Sequence, residues 1–212
     1  MISPLGIRFL ISVLFAFPAA AQTTWYVDGN GTPPGSGSAT DPFTRIQQAV
    51  DHPAVLSGSL IVVAPGVYPE KVAITNKVLT LRSKAGPAVT WIEPHAPTLH
   101  VGFMVNAGFS VIDGFTISGA RVASSIGVIG TAATVRNCVV QGHQQDPGFP
   151  TSSGWGLASS ADLWVEGCTV SGNFKGLFLG YVSAVYSSNS IFQGNSQWDL
   201  DPLTLFTVST IS

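Results

Sequence analysis

Apolar and polar positions alternate in short groups along most of this chain, and one six-residue group recurs four times between Val111 and Asn195. The copies are Gly114–Gly119, Asn137–Gly142, Gly167–Gly172 and Asn189–Gly194. Their closing glycines are 23, 30 and 22 residues apart. A period in the low twenties, with strand-forming residues in every unit, is typical of a solenoid.

Aligning the four copies predicts which side chains point inward. In each copy, the second and fourth residues share one face because side chains alternate along a strand. The first position of each copy is glycine or asparagine, the residues that best tolerate positive φ, so we expect a left-handed corner there. The inward sets are Phe115, Cys138, Cys168 and Ser190, followed by Ile117, Val140, Val170 and Phe192.

A second step recurs in the same region as Ile126-Gly127-Val128, Trp155-Gly156-Leu157 and Lys175-Gly176-Leu177. We expect three strands per turn of about 22 residues, with each strand pairing with its equivalent one turn later. Short connections cannot join parallel neighbours within one flat sheet, so the chain must coil.

Upstream of the repeats, Thr24–Val27 and Leu60–Val63 have strand patterns, as do Val72–Ile74, Val78–Leu81 and Val89–Ile92. The sequence between the first two predicts one helix. Asp41 is placed as its N-cap with Pro42 at the first position, and Phe43, Ile46 and Val50 lie on one face. The helix is expected to end at Asp51 before Pro53, and to cover the first coil.

The fold prediction is therefore an all-β, single-stranded parallel β-helix of about seven short coils with an N-terminal capping helix, and the family resemblance described below implies that it is right-handed. Residues 1–21 are expected to be a signal peptide and 22–212 the β-helix domain. Within that domain, 22–58 hold the N-terminal strand, loop and capping helix, and 59–212 hold the coils.

The composition and the charge of the chain limit the classes of function that the sequence is compatible with. Charged residues make up 9% of the chain, against roughly 25% in an ordinary globular protein. A net charge of -2 gives no electrostatic footprint for nucleic acid. The apolar run Phe9–Phe17 follows Arg8 and is too short to span a bilayer, so it predicts a cleaved leader. We expect a secreted, periplasmic or cell-surface protein with no membrane association after cleavage.

The chain resembles right-handed parallel β-helix proteins of the pectin-lyase-like superfamily. The resemblance rests on Trp25–Asp28, on Phe43–Val50, on the phrase Ile61–Glu70 and on the four repeated groups. It implies a polysaccharide partner, and the superfamily includes lyases, hydrolases, esterases and exported proteins without known activity. The active-site phrases of the esterase and polygalacturonase families are absent, and Gly142-His143 matches only part of one of them. Whether the chain is an enzyme stays open; if so, a polysaccharide lyase or glycoside hydrolase is expected.

Carboxylates are few and dispersed. A uronate lyase needs several of them on Ca²⁺ together with a basic side chain, and a glycosidase needs two facing each other. Asp199 and Asp201 share a strand face and could form half a calcium site. The cofactor expectation is none, with calcium as the alternative, and no metal site or catalytic residue is assigned.

Asp113, Arg136 and Glu166 occupy one outward position on three successive coils. A catalytic carboxylate pair with an arginine is one hypothesis for this set. Pairing of opposite charges across neighbouring strands on a solvated face is the simpler hypothesis.

The longest repeat spacing contains an insertion, His143–Ser153. Loops that leave a solenoid build its binding faces. The insertion carries an imidazole and a carboxylate, with an indole just after it and an ammonium group one coil later, a mixture suited to sugars. The predicted ligand-binding residues are His143, Asp146, Trp155 and Lys175. The alternative is that the insertion is only a solvent-exposed loop and that Trp155 packs inward.

Cys138 and Cys168 are the only cysteines and stack at one inward position, either as a disulfide or as buried thiols. His52, His95 and His100 are expected to be isolated surface or loop residues.

Two functions follow. The first is an exported β-helix domain that binds polysaccharide, and the second is a non-catalytic structural or cell-surface module, truncated from a longer architecture. Self-association is expected through the C-terminal coil, because the sequence Thr204–Ser212 has no evident cap.

Overall fold

The computed structural model describes residues 22–94, 100–119, 125–130, 132–145, 153–180 and 184–200. Within them the chain forms strand β1 (Thr24–Val27), helix α1 (Ile46–Asp51) and six coils of three strands each. The first three coils are β2 (Leu60–Val63), β3 (Gly66–Tyr68) and β4 (Val72–Ile74); β5 (Thr80–Ser83), β6 (Thr90–Ile92) and β7 (His100–Val105); and β8 (Val111–Asp113), β9 (Thr116–Ser118) and β10 (Ser125–Gly130). The last three are β11 (Ala133–Arg136), β12 (Val139–Gln141) and β13 (Trp155–Ser159); β14 (Leu163–Glu166), β15 (Thr169–Ser171) and β16 (Lys175–Leu179); and β17 (Val185–Ser188), β18 (Ile191–Gln193) and β19 (Trp198–Leu200).

Every third strand pairs in parallel, which produces three sheets that run the length of the coil. Sheet A has the order β1-β2-β5-β8-β11-β14-β17, sheet B the order β3-β6-β9-β12-β15-β18, and sheet C the order β4-β7-β10-β13-β16-β19. This is a right-handed parallel β-helix, and it confirms the predicted fold class. Six full coils and the extra strand β1 correspond to the predicted seven short coils.

The corners between sheets A and B have the predicted left-handed backbone. Gly114 and Gly167 have φ of 81° and 61°, and Asn137 and Asn189 have φ of 52° and 49°. The core lies inside the coils, where the two inward ladders of the sequence are found. Phe115, Cys138, Cys168, Ile117, Val140 and Val170 are at most 1% exposed, and Phe192 packs partly buried against them.

The helix boundaries predicted from the sequence are wrong at the N-terminal end. Helix α1 begins at Ile46 with Arg45 as the N-cap, and no side chain of the cap residue bonds to the helix. Asp41 lies in the preceding loop, where its carboxylate accepts a bond from the Ser36 N–H at 2.9 Å. The exposed N–H groups of the helix bind instead to Glu70, whose two carboxylate oxygens accept from Ile46 at 2.8 Å and Gln47 at 3.0 Å.

Gln47 connects the helix to the outermost strand of sheet C. Its side chain accepts a hydrogen bond from the Ala73 N–H at 2.7 Å and donates to the Ala73 carbonyl at 3.2 Å. An unpaired strand edge exposes such groups and invites further pairing. The capping role of α1 stays a prediction, which these two bonds support.

Strand β3 was not among the strands predicted from the sequence. Gly66 begins this strand and pairs with Thr90 of the next coil. The strand predicted at Val78–Leu81 starts two residues later, at Thr80.

Candidate functional site

Trp155, Lys175 and Trp198 occupy one register position on three neighbouring strands of sheet C. The Lys175 Nζ lies 5.3 Å from the Trp155 ring centroid and 5.2 Å from that of Trp198. It also lies 5.6 Å from the ring of Phe174. An ammonium group this close to ring faces is attracted by their electron density, which offsets part of the cost of its burial. Lys175 is accordingly only 7% exposed.

These side chains adjoin a small apolar cluster on the outer face of sheet C. Val101 and Ala158 are buried there, and Met104, Trp155 and Phe178 pack against them. The rings of Trp155 and Phe178 have centroids 3.9 Å apart. Trp155 therefore faces outward, as the binding hypothesis requires, and not into the coil.

The glycines after Trp155 and Lys175 are required by the interior. A Cβ atom on Gly156 would lie 2.8 Å from Cγ1 of Val170 and 2.9 Å from Nδ2 of Asn173. Glycine allows the backbone to approach the interior side chains, so Trp155 can face out while Leu157, 0% exposed, faces in.

The Trp155 indole Nε1 is buried and has no hydrogen-bond partner among the residues that the structure describes. A buried donor without a partner costs free energy, so it marks a position where an acceptor from a ligand would be stabilised. The face thus combines ring surface, an ammonium group and an unused N–H donor.

His143 does not share this surface, against the prediction. Its imidazole is 0% exposed, and Nε2 lies 3.3 Å from the Ile117 carbonyl oxygen inside the coil. Burial lowers the pKa of His143 to about 4, with the Ile117 hydrogen bond acting in the opposite direction. The residue is therefore a neutral interior group.

Of the other predicted binding residues, the structure brings Trp155 and Lys175 together. Asp146 lies outside the described residues. A ligand-binding role for the pair stays a prediction.

The sequence analysis missed an interior polar ladder that contains His143. The His143 N–H donates to Oδ1 of Asn173 at 3.1 Å, and the Asn173 N–H donates to Oδ1 of Asn195 at 3.1 Å. The amide groups of the two asparagines also donate to the carbonyls of Val140 and Val170, both at 3.1 Å. Each ladder residue directly follows a closing glycine of the repeat, and that signal could have revealed it.

Asp199 ends this ladder within the described part of the chain. One carboxylate oxygen accepts from the Asn195 N–H at 3.0 Å and from the Asn195 side chain at 2.8 Å. Asp201 lies outside the described residues. In the portion that is described, no group of three or more metal-ligating side chains comes together.

The charged ladder on the outer face of sheet A has the predicted register. Arg136 pairs with Asp113 on one side and with Glu166 on the other. Nη2 of Arg136 lies 3.1 Å from Oδ2 of Asp113. Oδ1 of the same carboxylate accepts a hydrogen bond from the Asn137 side chain at 2.9 Å. Arg82, beside Asp113 on the preceding strand, extends the ladder.

Cys138 and Cys168 are buried free thiols. Their sulfurs donate to backbone carbonyls, as the hydroxyl of Ser190 does one coil later. Burial raises the pKa of Cys138, which keeps this thiol protonated. The ring of His52 lies 5.0 Å from that of Phe43, His95 is outside the described residues, and His100 begins β7.

The right-handed β-helix fold is shared with other proteins of known structure. A pectin methylesterase, PemA from Erwinia chrysanthemi, superimposes with a TM-score of 0.50 and 15% identity over 78% of this chain and 55% of the enzyme. A rhamnogalacturonan lyase superimposes with a TM-score of 0.50 and 12% identity, covering 90% of this chain and 62% of the lyase. At such identities the similarity establishes the fold alone.

In sequence, the chain is similar to a cell surface glycoprotein from Methanothermus fervidus, with 32% identity over 104 residues. The matched segment is 47% of this chain and 17% of the glycoprotein, so the chain spans a small part of that relative. No model of a protein family matches the chain. Among the described residues, no helix is long and apolar enough to cross a membrane.

Proposed function

We propose that this chain is an exported cell-surface domain that binds polysaccharide on the outer face of sheet C. The observation that carries the proposal is the column of Trp155, Lys175 and Trp198, in which an ammonium group lies between two indole rings. Ring faces contact the apolar faces of sugars, and the unpartnered Trp155 N–H would donate to a sugar hydroxyl or carboxylate.

Both structural neighbours support a pectic ligand, since they are a pectin methylesterase and a rhamnogalacturonan lyase. The similarity to a cell surface glycoprotein supports an extracellular location. A lysine held beside the rings favours acidic glycans over neutral ones at this face.

The test is a binding panel of acidic and neutral glycans, measured by affinity electrophoresis, with the Trp155→Phe and Trp198→Ala variants. Trp155→Phe removes the indole N–H and keeps an aromatic ring. We expect both variants to weaken binding of polygalacturonate at least tenfold. Trp91→Ala is the matched control, because Trp91 lies on sheet B and donates its N–H to the Ala88 carbonyl at 3.2 Å. Unchanged binding by both variants would reject this site.

The second candidate is a non-catalytic structural module of a cell surface, which the glycoprotein similarity favours. Two assays distinguish the candidate functions, each run with and without Ca²⁺. One measures the absorbance of unsaturated products, and the other measures the release of reducing ends. Binding without turnover supports a binding module, and turnover establishes an enzyme. Absence of binding to every glycan in the panel leaves the structural role.

A further inference from the structure

The outer face of sheet A carries a second aromatic surface on the side of the charged ladder. Trp164 and Tyr186 are paired residues on β14 and β17, and their rings stack with centroids 5.3 Å apart and an interplanar angle of 15°. The ring of Phe109 lies 6.4 Å from that of Trp164, at 40° to it. We call Phe109, Trp164 and Tyr186 the sheet A aromatic column.

Phe109 has a conformation that bulky residues rarely adopt. Its φ is 67°, in the left-handed region, and its side chain is 70% exposed. This backbone conformation is energetically unfavourable for an L-residue with a side chain. An exposed ring gains little from burial to offset that cost. Strained residues persist mainly where surrounding structure or function requires them.

The groups beside the column are polar and of both charges. Glu166 lies two residues beyond Trp164 on β14 and on the same face, and its register partner Arg136 lies on the neighbouring strand β11. Arg136 is paired with Asp113 at 3.1 Å. Nε of Arg136 is buried and has no hydrogen-bond partner in the described part of the chain, although the side chain as a whole is 39% exposed. Glu166 is exposed and supplies acceptors.

We propose that this surface is a second carbohydrate-binding site, specific for neutral polysaccharide. Aromatic rings flanked by fixed donors and acceptors suit a ligand that alternates apolar faces with hydroxyl groups. Opposite charges that neutralise one another along the ladder provide no attraction for a uronate chain. A protein partner would be expected to meet a larger continuous apolar area than these three rings and their polar neighbours provide.

The site differs from the one on sheet C in position and in ligand. Sheet C offers an ammonium group to acidic glycans, whereas the sheet A column offers a charge-balanced face. The second proposal does not depend on the first.

Phe109→Gly provides a sharp variant, because glycine adopts positive φ without strain while losing the ring. The experiment compares the full chain with Phe109→Gly and Trp164→Ala by affinity electrophoresis in gels that contain hydroxyethyl cellulose, galactomannan or polygalacturonate. We expect retardation of the unaltered chain by at least one neutral polymer, and at least a fivefold loss of affinity in both variants. The Tm of Phe109→Gly should equal or exceed that of the unaltered chain.

Two controls keep the result interpretable. Leu56→Ala removes another exposed apolar side chain, 66% exposed, and should bind as the unaltered chain does. Trp198→Ala should retain affinity for the neutral polymer, which separates this site from the one on sheet C. The proposal is overturned if no neutral polymer retards the chain, or if Phe109→Gly and Trp164→Ala bind it normally.

Discussion

The imidazole of His143 fills a position that asparagine takes in the next two coils. Asn173 and Asn195 each satisfy the backbone of the preceding coil, and His143 is the last member of that series toward the N-terminus. Its Nδ1 is buried and has no hydrogen-bond partner within the described ranges. The residue therefore makes the interior sensitive to protonation at a position where asparagine would not.

Acid should destabilise the fold through this residue. The pKa of His143 is lowered from 6.5 to about 4 by burial. The unfolded chain then binds more protons between these values, so the stabilisation is complete above pH 6.5 and is lost as the pH falls toward 4. The shift corresponds to about 3 kcal/mol.

His143→Asn should remove this part of the pH dependence. Unfolding free energies from urea titration at several pH values between about 4 and 7 provide the measurement. Parallel curves for the two chains would show that His143 is not the titrating group.

Substitutions of Asn189 test the left-handed corner between sheets A and B, because this residue is exposed. It has φ of 49° and is exposed, so its conformation is the main constraint on its identity. Asn189→Gly should be neutral or slightly stabilising, whereas Asn189→Val should cost roughly 1–2 kcal/mol. Thermal unfolding of the two variants distinguishes them, and equal Tm values would contradict the proposed constraint.

At the scale of elements, the strands of sheet C depend on glycines that admit interior side chains. Gly127, Gly156 and Gly176 follow one another on neighbouring strands, and a Cβ atom on any of them would meet another atom closer than 3.0 Å. The backbone of sheet C therefore packs directly against side chains of sheet B and of the polar ladder. Sheet C and the polar ladder therefore pack against each other as one structural unit.

Gly156→Ala should destabilise the coil by about 1–3 kcal/mol, because the new methyl group would overlap Val170 and Asn173. Gly29→Ala is the control, since its Cβ atom would lie no closer than 3.5 Å to Tyr68. Chemical denaturation of both variants provides the comparison. A Gly156→Ala chain as stable as Gly29→Ala would show that the interior can relax around the methyl group.

The two proposed binding faces, on sheets A and C, should allow the whole molecule to bridge two polysaccharide chains. Linked sites bind with an avidity above that of either site alone when both can be engaged. Mixtures of polygalacturonate and the neutral polymer bound by sheet A should therefore become more viscous with the unaltered chain. Phe109→Gly or Trp198→Ala alone should abolish this effect and leave binding to one polymer. Bridging by either single-site variant would contradict the two-face arrangement.

Some features of the fold could be predicted because they depend on local chemistry repeated at a fixed period. The Gly114 and Asn137 corners are examples, since few residues tolerate positive φ. The start of α1 could not be predicted, because its N-terminal N–H groups bind to Glu70, 24 residues beyond Ile46 in sequence. Asp41 carried the local signal for a cap and bonds elsewhere.

The candidate site was predicted only in part. Trp155 and Lys175 share a register position that the repeat spacing reveals. Trp198 was missed because Asp199 follows it, at the position where the recurring step has glycine. His143 was misplaced because it begins an inserted loop in sequence, while in space it belongs to the ladder of Asn173.

The sequence by itself determined the solenoid, its three-strand coils, its corners and the direction of its inward side chains. These follow from a period of two along strands and of about 22 along the chain, which any coiled parallel sheet must satisfy. The tertiary structure alone decided which polar groups are buried and which aromatic rings meet on the surface. Those contacts join residues on different coils, and the free energy of burying His143 or stacking Trp164 on Tyr186 depends on neighbours that the local pattern does not specify.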